Sequence, residues 1–169
     1  MQDNLENPFW RYSLAHYARP EVAACCLDYQ NRLGANVNLL LFCCWLGVRG
    51  IRLDKEMIEQ AALKIESWDR QVVQQLRTIR RYLKSMPASS EAVIHKLQEV
   101  ELMTEQIVQL SPFEWWLEKV NPQNLDVVPD TSVTLQVFNL NTYLSLLGCE
   151  PIAGDSPLLW PVGCAPTVD

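Results

Sequence analysis

The sequence predicts an all-α protein: a compact bundle of about six to seven helices around a buried central helix, with an irregular proline-rich C-terminal tail. Three observations predict it. Apolar residues recur at steps of three or four through every long segment. Asn36 to Gly50 (NVNLLLFCCWLGVRG) holds the densest apolar run, Leu39 to Leu46, with no charge inside it. Only Thr131 to Phe138 offers a strand-like alternation, and no second strand is available to pair with it.

The elements follow in order. Asn7 caps the first helix and Pro8 occupies its first position, where the missing N–H costs nothing. Trp10, Leu14 and Tyr17 share one face, and Pro20 separates this helix from the next. Val22, Cys26, Tyr29 and Leu33 form the stripe of the second helix, and Gly34 stops it. The third is the central helix, capped by Asn36. A helix apolar all round is buried on every side or spans a membrane; spanning needs about 20 apolar residues, so burial is the reading here. Gly47 and Gly50 mark its end, and Asn38, at the edge of the apolar run, reads as a second cap or a buried amide with a partner.

Asp54 caps a long segment reaching about Ser85, with Ile58, Ala61, Ile65, Trp68, Val72, Leu76, Ile79 and Leu83 in register. Unbroken, it is about 45 Å long; Ser67 and Asp69 are a possible break. Met86-Pro87 ends it. Ser89 or Ser90 caps the next helix, with Val93, Leu97, Val100, Ile107 and Leu110 on one face, and the short connection implies an antiparallel hairpin. Ser111-Pro112 is expected to start a separate short helix carrying Trp115 and Trp116. Asn121 to Asp130 reads as a loop and Thr131 to Leu147 as a helix ending at Gly148. Residues 1–150 are expected to form a single helical domain and 151–169 the tail, pinned by Leu158, Leu159 and Trp160.

A formal charge of −6 argues against general nucleic-acid binding, which needs a basic surface. The polar, acidic start at Met1 to Asn7 carries no leader pattern, so a cytoplasmic protein that engages no membrane is expected. The six cysteines fall as Cys25-Cys26, Cys43-Cys44, Cys149 and Cys164, without metal-ligand spacing. They are expected to be reduced, with the last two more exposed, and no metal or cofactor is expected.

The blocks FW-x-x-SL-x-x-Y (Phe9 to Tyr17), CL-x-x-Q (Cys26 to Gln30), VNLLLF-x-x-WL (Val37 to Leu46), LR-x-x-RR-x-LK (Leu76 to Lys84) and EL-x-x-E (Glu101 to Glu105) come in a specific order. With Trp68 and Val72-Val73 they resemble a family of short bacterial proteins known as a conserved domain of unknown function, over about residues 8 to 110. The resemblance implies a small, cytoplasmic, all-helical bacterial protein and brings no activity, cofactor or site residue.

No phosphate loop or nucleophile elbow is present. His16 and His95 lie far apart and read as surface or partly buried side chains; Glu101 and Glu105 read as a solvated face. One cluster rises above this background. Arg77, Arg80, Arg81 and Lys84 fall within eight positions of an acidic chain and form a candidate surface for an anion or a protein partner. Pairing with the following helix would neutralise part of it; a turn at Pro87 places Arg77 near Gln98 and Glu99, and Arg70 near Glu105. Leu76, Ile79 and Leu83 should then face the core. The leading expectation is a non-enzymatic protein-interaction or regulatory module using the arginine face, with Trp115, Trp116 and Trp160 as exposed aromatic candidates. The alternative is a small-ligand binder or enzyme with a pocket near Gln30, Asn38 and Trp45. A pocket lined by Gln30, Asn38 and an arginine favours the second reading.

Overall fold

A computed structural model describes residues 5–87, 90–119 and 132–160. They form α1 (Pro8–Tyr17), α2 (Pro20–Leu33), α3 (Val37–Val48), α4 (Lys55–Trp68), α5 (Gln74–Ser85), α6 (Glu91–Lys119) and α7 (Ser132–Leu146), with no strand among the described residues. No helix among them is long and apolar enough to cross a membrane.

The capping chemistry of the sequence is used as expected. Asn7 Oδ1 accepts from the Trp10 N–H at 2.9 Å, with Pro8 opening α1. Gly34 ends α2 at a φ of 68°, a left-handed conformation that glycine adopts without penalty. Asn36 accepts from the Asn38 and Leu39 N–H groups, and Asp54 from Met57.

Helix α3 is the centre: Asn38 to Gly47 are all buried. It packs most extensively against α7. Gly47 does not stop the helix but lies inside it, because α7 crosses there at backbone contact; Gly50, with φ of 76°, lies in the turn beyond. Thr131 lies outside the described residues, but the segment after it is helical to Leu146, and Gly148 follows with φ of 70°. The polar residues of α7 hold the neighbouring loops. Asn139 accepts from Leu53 N–H at 2.8 Å and donates to the Cys43 and Ile51 carbonyls. Gln136 exchanges hydrogen bonds with the backbone of Trp160, and Asn141 with that of Ile152. These bonds and the burial of Leu158, Leu159 and Trp160 fasten residues 150–160 to the core.

Several expectations are corrected. The buried face of α1 is Phe9, Tyr12, Ser13 and His16 together with Trp10, while Leu14 is exposed. Segment 55–85 is one rod interrupted by a wider turn at Asp69–Val73, where Gln74 N–H bonds to the Asp69 carbonyl five residues back. No residue of α5 is fully buried, and Ile79 is 48% exposed, so the face of Leu76, Ile79 and Leu83 is only half covered. In α6, Val93 and Val100 are exposed; Glu101, Val108, Gln109, Trp115 and Trp116 form the buried face instead.

Pro112 starts no new helix: α6 runs through it. An interior proline costs about 3 kcal/mol, but burying two tryptophans returns more than that. Trp116 meets Trp45 edge-on at 5.2 Å, and Trp115 and Trp116 are buried rather than exposed, as is Trp160. The expected loop at 121–130 and Cys164 lie outside the described residues. Of the other cysteines, Cys26, Cys43 and Cys44 are buried, Cys25 and Cys149 half-buried, and all five are free. Burial pushes the Cys26 thiol up to about 12 and raises those of Cys43 and Cys44 as well, which keeps them protonated and unreactive.

Candidate functional site

The hairpin of α5 and α6 stands across from α1 and α2, and the start of α3 lies between them. Together they line a cleft of about 830 Å³. Ser13, Leu14, Tyr17, Leu27 and Gln30 come from α1 and α2, Val37, Asn38 and Leu41 from α3, and Arg77, Arg80, Arg81, Glu101, Leu102, Glu105 and Gln109 from the hairpin. The geometry follows from local sequence. Left-handed Gly34 turns the chain from α2 into α3, and Gln30 and Asn38 on either side of that turn line the same cleft.

The arginines are sorted by their partners. Arg77 pairs with Glu105, and Arg80 Nε donates to Glu101 at 2.6 Å. Helix α6 begins only at Glu91, so the pairing is shifted by about two helical turns from the register a tight turn at Pro87 would give. Arg70 pairs with Glu66 on its own helix, and Glu99 with Lys96 and His95. Glu101 and Glu105 are therefore not a solvated face; Glu101 is buried. The bond Arg80 donates to Glu101 raises the Arg80 pKa further, fixing its charge. Arg81 has no carboxylate in ion-pair range among the described residues; it donates to the Arg77 carbonyl and to Thr78 Oγ1. Lys84 is exposed and does not line the cleft.

Of the three expected pocket residues, Gln30 and Asn38 line the cleft and Trp45 does not. Trp45 is in the core, packed on Phe9, Phe42, Phe113 and Trp116, because α3 rotates it away from its own N-terminal turn. Gln30 and Asn38 thus share one cavity with three arginines.

Sequence reasoning missed the floor. Gln109 Nε2 donates to Asn38 Oδ1 at 2.8 Å, deep between α3 and α6. Gln109 Oε1 and Ser13 Oγ are buried and have no hydrogen-bond partner among the described residues. Burial of Tyr17, beside the same cleft, raises its pKa. The only signal for Gln109 was a polar residue interrupting Val108 and Leu110 in an apolar stretch. His16, expected to be a surface or partly buried side chain, is wholly buried elsewhere: its Nε2–H donates to the Leu158 carbonyl at 2.7 Å, and its ring lies against Tyr12 and Trp160.

Fold and site together define an all-helical protein with a mixed polar and apolar cleft between a helical hairpin and a three-helix base. The chain belongs to the family described as protein of unknown function (DUF2390), whose model matches residues 8–111. Every residue that lines the cleft falls inside that match. No curated protein matches the chain, and no solved structure matches it.

Proposed function

We propose that this protein binds a small organic molecule in the cleft between the α5–α6 hairpin and helices α1 to α3. One observation carries the reading: a cavity of about 830 Å³ on which Gln30, Asn38 and three arginines converge beside apolar side chains. Volumes of about 300–1,000 Å³ with a few converging polar groups are typical of ligand sites. Exposed Leu14, Leu27 and Leu102 supply apolar surface in the same cavity. Binding is the function the geometry supports; no acid–base pair or activated nucleophile is evident among the described lining residues.

The test is native mass spectrometry of the protein after incubation with the small-molecule fraction of a bacterial cell extract. The parent should carry an adduct that survives desalting. Leu27→Trp, at a half-exposed position lining the cleft, should fill the space without lowering the melting temperature and should lose the adduct. Absence of any adduct, or an adduct indifferent to Leu27→Trp, contradicts the reading.

The interaction-module reading keeps one supporting observation: Arg81 and Lys84, without carboxylate partners among the described residues, lie on the same helix as exposed Ile79 and Tyr82. A protein captured through that surface would be lost in Lys84→Glu, which leaves the cleft intact.

A further inference from the structure

We infer that a second copy of this chain covers the side of the α5–α6 hairpin that faces away from the cleft, so that two hairpins pair about a two-fold axis as a four-helix bundle. The inference is independent of what the cleft binds.

The seam between α5 and α6 fixes the geometry. Arg80 meets Glu101 there, and Arg77 meets Glu105. One residue further along each helix, Arg81 and Leu102 line the cleft. One residue back, Ile79 and Val100 are turned about 100° the other way. Steps of three, four and seven carry the same face along the hairpin, to Tyr82 and Met86 on one side and to Val93 and Met103 on the other. Each of these six side chains is between 42% and 62% exposed, and none lines the cleft.

The hairpin has no core of its own. Between residues 74 and 100 no described side chain is fully buried. Leu76, Leu83, Ile94 and Leu97, which their spacing from Arg80 and Glu101 puts on the seam, are only half-buried. A helix draws most of its stability from packing an apolar face. The hairpin therefore needs a cover whenever the chain is folded, and a second copy is the one partner always present with it.

The face suits its own copy in charge, size and shape. Its remaining positions include Gln75 and Lys96, and Lys96 bonds Glu99 at the edge. None of these positions carries a carboxylate, in a chain of formal charge −6 whose copies repel one another elsewhere. Six large side chains about half exposed present on the order of 600 Å² of mostly apolar surface, which with the groups around them approaches the roughly 800 Å² per partner of a stable interface. The stripes from Ile79 to Met86 and from Val93 to Met103 run side by side, each about 10–15 Å long. A two-fold axis along the hairpin lays the α5 stripe of each chain on the α6 stripe of the other, with every neighbouring pair of helices antiparallel.

The experiment is analytical ultracentrifugation of the full chain, from low micromolar to several hundred micromolar. At tens of micromolar the parent should sediment as two chains. Val100→Glu puts two carboxylates into the closed interface and should weaken pairing by at least about 100-fold. Tyr82→Ser removes a side chain that is 62% exposed in the single chain, so it keeps the test valid if Val100→Glu unfolds; it should weaken pairing roughly 10-fold or more. Leu63→Glu, the same kind of change at an exposed site on α4, should leave the dimer intact. So should Leu27→Trp, which fills the cleft, so this inference and the ligand-binding reading fail separately. A parent that stays a single chain at every concentration overturns the inference and assigns the face to a different protein or to another segment of the same chain. A dimer indifferent to both back-face variants, or lost in Leu63→Glu, overturns it too.

Discussion

Gly47 of the central helix and Gln136 of α7 meet backbone to backbone: a Cβ built on Gly47 would lie 2.6 Å from both the nitrogen and the Cα of Gln136. No side chain fits between them. Gly47→Ala must push the two helices apart, and overpacking of this kind costs about 1–3 kcal/mol. A chemical denaturation curve should show that loss. A variant as stable as the parent would mean the helices do not cross at this distance.

Asn139 acts as a substitute for backbone, bonding Leu53 N–H and the Cys43 and Ile51 carbonyls at once. Asn139→Ala leaves the buried Leu53 N–H without its acceptor and removes the donor to the Ile51 and Cys43 carbonyls, and should cost roughly 1–3 kcal/mol. Unchanged stability would show that other groups or water replace the amide.

These two residues also show what was readable in the sequence. The caps Asn7, Asn36 and Asp54 and the stops Gly34 and Gly148 act over one turn of chain, so composition reveals them. The all-apolar run of α3 required a buried centre. Helix α7 was ambiguous because Gln136, Asn139 and Asn141 break its apolar periodicity; they are spent on loops distant in sequence. The stripe of α6 misled because its first half has little to pack against, and Val93 and Val100 stay exposed. Pro112 misled because local propensity yields to the burial of Trp115 and Trp116. The arginine cluster was visible, but its partners depend on a hairpin register that the sequence does not specify. Ser13 and Gln109 gave almost no signal, since what distinguishes them is the absence of a partner in three dimensions.

His16 ties stability to pH. Burial lowers its pKa from 6.5 to about 4, while in the unfolded chain it titrates near the ordinary value. Between about pH 6.5 and 4 the unfolded chain therefore binds more protons, and stability falls as pH drops. The full contribution is on the order of 3 kcal/mol, present above pH 6.5 and lost by about pH 4. Denaturation curves across this range should fall more steeply for the parent than for His16→Gln. Parallel curves would show that His16 does not carry the dependence.

The two neighbouring arginines should respond differently to substitution. Arg80 serves buried Glu101, so Arg80→Gln strands a carboxylate and should cost roughly 1–3 kcal/mol. Arg81→Gln should stay within about 0.5 kcal/mol of the parent. Thermal melts of the two variants separate a structural arginine from one available to a ligand; equal losses would contradict the assignment.

The central claim is that the cleft takes up a small molecule, and hydrogen–deuterium exchange of the protein with and without the adduct-forming extract fraction tests it most directly. Exchange at the start of α3, from Asn36 to Leu41, and along α5, from Gln74 to Arg81, should slow when the adduct is bound, because both elements line the cavity and α5 has no fully buried residue to protect it otherwise. Bound adduct with slowed exchange confined to the far side of the hairpin, around Val93 and Val100, or to α7, would contradict the account.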